Sequence, residues 1–151
     1  MRPFVLLVVL AAFVSAGCGF ADDAPIRVEK AWIQAVPPVS DTTAAYMKIT
    51  NLGSVPVRIS GASSNAADAV ELMTATREER DGKEILGMES VNEFVVPAGG
   101  SLQLKPGGDH MMFMGLKSHP KESAFVKMTL KFGPGDQALD IQVEVRKEEP
   151  K

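Results

Sequence analysis

Short segments in which apolar and polar residues alternate recur along most of this chain and constrain its fold. In "FVKMTLKF" (residues 125–132) one face carries Val126, Met128, Leu130 and Phe132, and "LDIQVEV" (139–145) repeats the pattern. A period of two is typical of a strand with one buried face. Further segments of this kind are "IRVEKAWIQ", "AAYMKITN", "VPVRISGAS", "AVELMTAT", "EILGMES", "NEFVVP" and "SLQLKP". Because Gly, Pro, Asn and Asp lie between them, the sequence predicts an all-β antiparallel sandwich or barrel.

Length and charge limit the class of protein. The chain has 151 residues, which is room for one domain with a sizeable core, and we assign that domain to residues 22–151. The formal net charge is -3, and the charged residues are interspersed along the sequence. Since there is no basic block, the sequence predicts no nucleic-acid partner.

The N-terminal segment has the pattern of an export signal. A positively charged start precedes an apolar run over residues 4–14, and small residues follow, so we assign residues 1–21 to a signal peptide. The "SAGC" that ends at Cys18 resembles a bacterial lipobox, although Ser15 stands where leucine is usual. Cleavage near Ala21 by the ordinary signal peptidase is the alternative. Either route predicts a protein outside the cytoplasm, with membrane attachment only through a lipid on Cys18.

Cysteine usage excludes several kinds of chemistry. Cys18 is the only cysteine in the chain, and it is either removed with the signal peptide or acylated. The folded domain then has no thiol for a disulfide, a thioredoxin-type pair or a cysteine nucleophile. A blue-copper electron-transfer site is also excluded, because it needs a cysteine thiolate beside two imidazoles.

The stretch "DHMMFMGL" (residues 109–116) places methionines beside a histidine. If it forms a strand, His110, Met112 and Met114 share one face and Met111 and Phe113 share the other. Methionines on strands are usually packing residues, because the flexible thioether fills irregular gaps. The alternative is that one face belongs to the core and the other to a metal site.

A second pair of methionines is predicted to meet across a hairpin. Asp81-Gly82 is the strongest short-range signal for a two-residue hairpin turn, and it lies at the centre of "ELMTATREERDGKEILGMES". In that register Met73 faces Ser90 and Ala75 faces Met88. Met73 and Met88 are then diagonal neighbours across the two strands, within reach of each other.

The two stretches together supply Met73, Met88, His110 and Met112, which are three thioethers and one imidazole. Thioether sulfur suits Cu(I) and offers little to Mg(II), Ca(II) or Mn(II), which prefer oxygen. Structural zinc generally uses thiolates or several imidazoles. If these four residues form a metal site rather than packing, Cu(I) is the common biological ion that fits them.

At these residues the chain resembles the PCuAC family of periplasmic copper chaperones, whose fold is a cupredoxin-like β-barrel of Greek-key type. The family motif is His or Met, ten residues, Met, twenty-one residues, His, any residue, Met. Here twenty-one residues separate Met88 from His110, and one residue separates His110 from Met112. "AWIQAVPP", "AAYMKITNLG" and "VPAGGSLQLKPGGDHMMFMGLK" are similar to other characteristic stretches, so the resemblance covers about residues 26–146.

The chain departs from the family pattern at the first ligand position. Met73 stands where most members have His, and fourteen residues rather than ten separate it from Met88. Four extra residues, two in each arm around Asp81-Gly82, would lengthen the hairpin without changing its register or faces. We expect the site to survive this insertion.

The resemblance implies transfer of copper rather than catalysis. It implies a periplasmic chaperone that delivers Cu(I) to the CuA centre of cytochrome c oxidase or to another cuproprotein, alongside Sco-type proteins. Two alternatives remain, a periplasmic copper buffer and an Ig-like structural module of the envelope without metal. No Ser-His-Asp, paired-carboxylate or phosphate-cradling signature indicates an enzyme.

Several other residues are predicted to have structural roles. Met47, Met111 and Met128 are predicted in the core, and His119 is predicted on a solvated loop. Trp32 and Tyr46 are predicted as core or rim aromatics. Met114 shares the face of the proposed ligands, where ordinary packing is the usual role of a methionine and a spare sulfur or a shield is the alternative.

Overall fold

The computed structural model describes residues 25–151, and the predicted signal peptide and Cys18 lie outside them. Ten strands follow one another along the chain: β1 (Ile26–Gln34), β2 (Thr42–Asn51), β3 (Val57–Ser64), β4 (Ala67–Arg80), β5 (Lys83–Val91), β6 (Phe94–Val96), β7 (Ser101–Leu104), β8 (His110–Leu116), β9 (Phe125–Gly133) and β10 (Gln137–Arg146). Within this part of the chain no helix has the length and hydrophobicity needed to cross a membrane.

The strands close into a barrel. Hydrogen-bonded neighbours follow the order β5-β4-β8-β2-β1-β10-β9-β3-β6, and a further pairing of β4 with β3 closes the path, while β7 pairs with β2. The predicted all-β class is confirmed. One pair differs from an antiparallel arrangement, because β1 runs parallel to β10, with Trp32 opposite Glu144. These strands come from the two ends of the domain, so no short turn dictates their relative direction.

The barrel interior is filled by alternate residues of its strands, as the sequence pattern predicts. Buried side chains include Met47 and Ile49 of β2, Met111 and Phe113 of β8, Val126, Met128, Leu130 and Phe132 of β9, and Val143 and Val145 of β10. Leu139 and Ile141 pack against this core but are only partly buried, because they lie nearer the turn between β9 and β10. Burying each large apolar side chain stabilises the fold by about 1.5–3 kcal/mol.

A β-bulge reverses the faces of β1. Before the bulge Val28 lies opposite Ile49, whereas after it Trp32 lies opposite Tyr46, a shift of register by one residue. Lys30, within the bulge, has a positive φ of 50°. Because an extra residue in one strand exchanges the two faces beyond it, Ile33 enters the core and Trp32 lies on the outer face.

The hairpin of β4 and β5 has the predicted turn and register. Asp81 and Gly82 have φ values of 53° and 72°, and two positive values are what a type I′ turn requires. The pairing of β4 with β8 reaches Met73, whereas the pairing with β5 continues to Arg80. Residues 74–89 therefore extend as a two-stranded ribbon, which we call the ribbon.

Candidate metal centre

The four proposed ligands lie on the outer face of three adjacent strands. Met73 of β4 is directly opposite His110 of β8, and Met88 of β5 is opposite Ala75. Met112 follows two residues after His110 and shares its face. The intervening Leu72 and Met111 point into the core. This outer face therefore combines three thioethers and one imidazole.

Met73 is the common neighbour of the other three. It faces His110 directly and lies diagonally from Met88 and from Met112, which is opposite Glu71. Diagonal cross-strand neighbours are about 7–8 Å apart, within reach of long side chains. Met88 and Met112 lie on opposite sides of the Met73–His110 row, so they are not direct neighbours. The four side chains can bind one ion only if those of Met88 and Met112 extend toward that row.

A backbone carbonyl orients the imidazole of His110. Its Nδ1 lies 2.9 Å from the carbonyl oxygen of Gly108, and a carbonyl can only accept, so the Nδ1–H donates. In the neutral imidazole the free lone pair then lies on Nε2. A backbone carbonyl that orients the second ring nitrogen is the usual arrangement around a metal-binding histidine.

Burial decreases across the site from the histidine to the ribbon. His110 is 5% exposed, whereas Met88 on β5 is 46% exposed. Met73 and Met112 are intermediate. Among the strands of residues 25–151, β5 pairs with β4 alone, so an incoming molecule would meet Met88 first.

Two aromatic side chains extend the row that begins at Met73. The Tyr46 ring lies 6.2 Å from the His110 ring, and the Trp32 ring lies 4.8 Å from the Tyr46 ring, measured between centroids. Both spacings fall in the range of attractive aromatic pairs. We call Trp32 and Tyr46 the aromatic wall. The sequence predicted only core or rim positions for them, because no pattern indicated the bulge that turns Trp32 outward.

Burial of Tyr46 leads to a pH prediction. Burial raises the pKa of its hydroxyl above the ordinary value of about 10, because the phenolate loses solvation. The contribution of the neutral Tyr46 hydroxyl to stability is therefore complete below pH ~10. It is lost as pH rises from there through the pKa of Tyr46 in the folded protein. Since Tyr46 is the only tyrosine, phenolate absorbance during a pH titration reports on it alone. A midpoint at or below that of the unfolded chain would contradict this.

A carboxylate that the sequence analysis missed ties β8 to the ribbon. Asp109 Oδ1 accepts hydrogen bonds from Thr74 Oγ1 at 2.6 Å and from the Ala75 backbone N–H at 3.3 Å. Asp109 precedes His110, and Thr74 follows Met73. We call the Thr74–Asp109 pair the clamp. It joins the β4 and β8 backbones next to Met73 and His110, the central pair of the site.

Four further methionines and the second histidine lie outside the proposed ligand set. Met47, Met111 and Met128 are fully buried in the core, as predicted. His119 is exposed, and its Nε2 lies 2.7 Å from the carbonyl oxygen of Ser40. Met114 lies opposite Thr42 and Ala69, on the outer face. Across residues 25–151 no three His, Cys, Asp or Glu side chains form a group suited to a metal ion.

Comparisons with known proteins bear on both family and fold. A family model for LpqE-like lipoproteins matches residues 26–145. The proposed lipoprotein Lxx21020 of Leifsonia xyli subsp. xyli is 36% identical over 110 residues, which cover 73% of this chain and 63% of that protein, just under two thirds of its length.

Two solved structures are similar over most of the chain. The solution structure of CuI-DR1885 from Deinococcus radiodurans has a TM-score of 0.66 at 36% identity, covering 87% of this chain and 85% of that one. The copper-bound PCuAC domain from PmoF2 has a TM-score of 0.66 at 18% identity, covering 82% and 94% of the two chains. The second match establishes a shared cupredoxin-like fold.

Proposed function

The chain belongs to the LpqE-like family, which is of the PCuAC type, and from that premise we propose that it is an extracytoplasmic chaperone that binds Cu(I) and passes it to a cuproprotein. Met73, Met88, His110 and Met112 are the proposed ligands. The observation that carries the proposal is the direct pairing of Met73 with His110 on an outer face of the barrel. Binding and release by ligand exchange need a site that reaches solvent, and this one does so at Met88.

The chemistry of the donors supports copper as the cargo. Thioethers are soft ligands that favour Cu(I), and a neutral imidazole with a free Nε2 completes the set. The Gly108 carbonyl engages Nδ1 and leaves Nε2 as the ring nitrogen that faces an incoming ion. The 36% identity to DR1885, whose solved form is designated CuI-DR1885, supports the same cargo and oxidation state.

The gradient of burial supports transfer rather than storage. A half-exposed thioether on an edge strand can leave the ion and admit a ligand from an acceptor, while the buried His110 retains it. We propose the CuA subunit of cytochrome c oxidase as the acceptor, with a Sco-type protein as a further partner. The lipoprotein assignment of the relatives supports a position in the cell envelope, which we propose is the periplasm.

The proposal is tested by an anaerobic competition titration with a chromophoric Cu(I) chelator, followed by mixing with the apo CuA domain. We expect one tightly bound Cu(I) per chain and loss of that copper to the acceptor. Tight binding without transfer would indicate a buffer. No binding would contradict the proposal and favour a structural envelope module.

The clamp provides a prediction with a matched control. Thr74→Val removes the hydroxyl that donates to Asp109, so we expect a fall of about 10-fold in Cu(I) affinity, the lower end of the effect of residues that orient ligands. Thr129→Val removes a similar bond, from Thr129 Oγ1 to Asp140 Oδ1 at 2.7 Å, on the far strand β9. Chelator competition should distinguish the two variants. Equal affinities would contradict a role for the clamp.

A further inference from the structure

Trp32 and Tyr46 are buried outside the barrel core. The two residues are 3% and 9% exposed, yet their neighbours Ile33 and Ala45 are the residues that pack into the core. Since adjacent residues of a strand point to opposite faces, both aromatic side chains lie on the outer surface of the barrel. The aromatic wall is therefore a small packed unit separate from the core.

The aromatic wall continues the row of the metal centre. Ala44 lies opposite Met112, and Ala45 lies opposite Met111, so the same register places Tyr46 opposite His110. Trp32 lies opposite Tyr46 on the next strand. The row thus runs across β1, β2, β8 and β4 from Trp32 to Met73.

The backbone of β1 is distorted where it produces this row. Without the bulge Trp32 would point into the core, and Lys30 adopts a positive φ that residues with a side chain rarely take. Bulges that re-aim a side chain are over-represented next to active sites. A bulge beside the metal centre therefore indicates a use for the outward position of Trp32.

The wall restricts the imidazole on one side. The Tyr46 ring packs at 53° to the His110 ring, and Trp32 supports Tyr46 from behind at 43°. The Gly108 carbonyl holds Nδ1, and Met73 lies on the next strand. Without the Tyr46 ring the imidazole would have space to rotate away from Gly108.

We propose that Trp32 and Tyr46 are positioning residues, which hold the His110 ring in the orientation bonded to Gly108 and so make it the retained ligand during copper exchange. The copper part of this inference rests on the proposed function. The orientation of His110 does not, because the contacts that produce it are made by protein atoms alone.

The test compares Tyr46→Leu with Tyr46→Phe, which keeps the ring. The control Phe125→Leu makes an equivalent change at an exposed aromatic on β9, three strands beyond Tyr46. We expect Tyr46→Leu to lose at least about 10-fold in Cu(I) affinity, with Tyr46→Phe and Phe125→Leu close to the unchanged protein. Unchanged affinity in Tyr46→Leu would overturn the inference.

The metal-free protein gives an independent measurement. Nitrogen-15 NMR of the His110 ring at about pH 8, where an ordinary imidazole is neutral, should show one tautomer protonated at Nδ1 in the unchanged protein and in Tyr46→Phe. Tyr46→Leu should show a mixture of tautomers. One tautomer in all three proteins would overturn the positioning role. If the tautomer depends on Tyr46 but the protein binds no copper, the positioning role stands and only the proposed function is contradicted.

A third measurement does not depend on the folding of any aromatic variant. Trp32 is the only tryptophan in the chain, so its fluorescence reports on the aromatic wall. We expect the emission to change with Cu(I) in parallel with chelator competition, reaching completion at one equivalent. Copper binding with no change in Trp32 emission would overturn the contact between wall and site.

Discussion

Replacing His110 with alanine is expected to lower Cu(I) affinity by at least about 100-fold, or roughly 2.8 kcal/mol. His110 is the proposed nitrogen ligand and the most buried member of the site. Its removal leaves only methionine thioethers as ligands, without the nitrogen donor that is held in place. Chelator competition under anaerobic conditions measures the change.

The second histidine of the chain provides the matched control. His119 is exposed and lies 2.7 Å from the Ser40 carbonyl oxygen, away from the proposed ligands. His119→Ala should therefore bind Cu(I) as the unchanged protein does. Equal effects of the two substitutions, or no effect of His110→Ala, would contradict the ligand assignment.

Alanine substitutions at the adjacent residues Met111 and Met112 are expected to change different properties, the free energy of unfolding in the first case and Cu(I) affinity in the second. Met111 is 0% exposed in the core, so Met111→Ala should lower the free energy of unfolding by about 2–5 kcal/mol and leave the site on the other face. Met112 is half-buried on the outer face. Met112→Ala should lower unfolding free energy by under about 1 kcal/mol but Cu(I) affinity by about 10-fold or more.

Urea denaturation and chelator competition measure the two quantities separately. Copper binding by Met111→Ala is measured at urea concentrations below its unfolding transition, where the protein remains folded. If Met112→Ala lost stability and kept its copper affinity, the outer methionines would be packing residues. That result would favour the structural module over the chaperone.

Local sequence patterns predicted much of this structure. The alternation of β9 and the Asp81-Gly82 turn depend on neighbouring residues alone, and both are as predicted. The register of the hairpin then follows, because a two-residue turn fixes every pair in its arms. For the same reason, Met73 and Met88 could be assigned to one face before any tertiary contact was known.

Features that depend on distant strands could not be predicted in this way. The parallel pairing of β1 with β10 and the bulge at Lys30 reflect closure of the whole barrel. Trp32 therefore could not be assigned to the outer face from its own strand. Asp109 was missed because its partner Thr74 is 35 residues away and no local spacing connects them.

The most direct test of a thioether–imidazole copper site is X-ray absorption spectroscopy at the copper edge, on the protein loaded with one equivalent of Cu(I). The proposed ligands predict a first shell of sulfur from Met73, Met88 and Met112 and one nitrogen from His110. The same spectrum of Met88→Ala should contain one sulfur fewer. A first shell of nitrogen and oxygen alone, or one unchanged in Met88→Ala, would contradict the account.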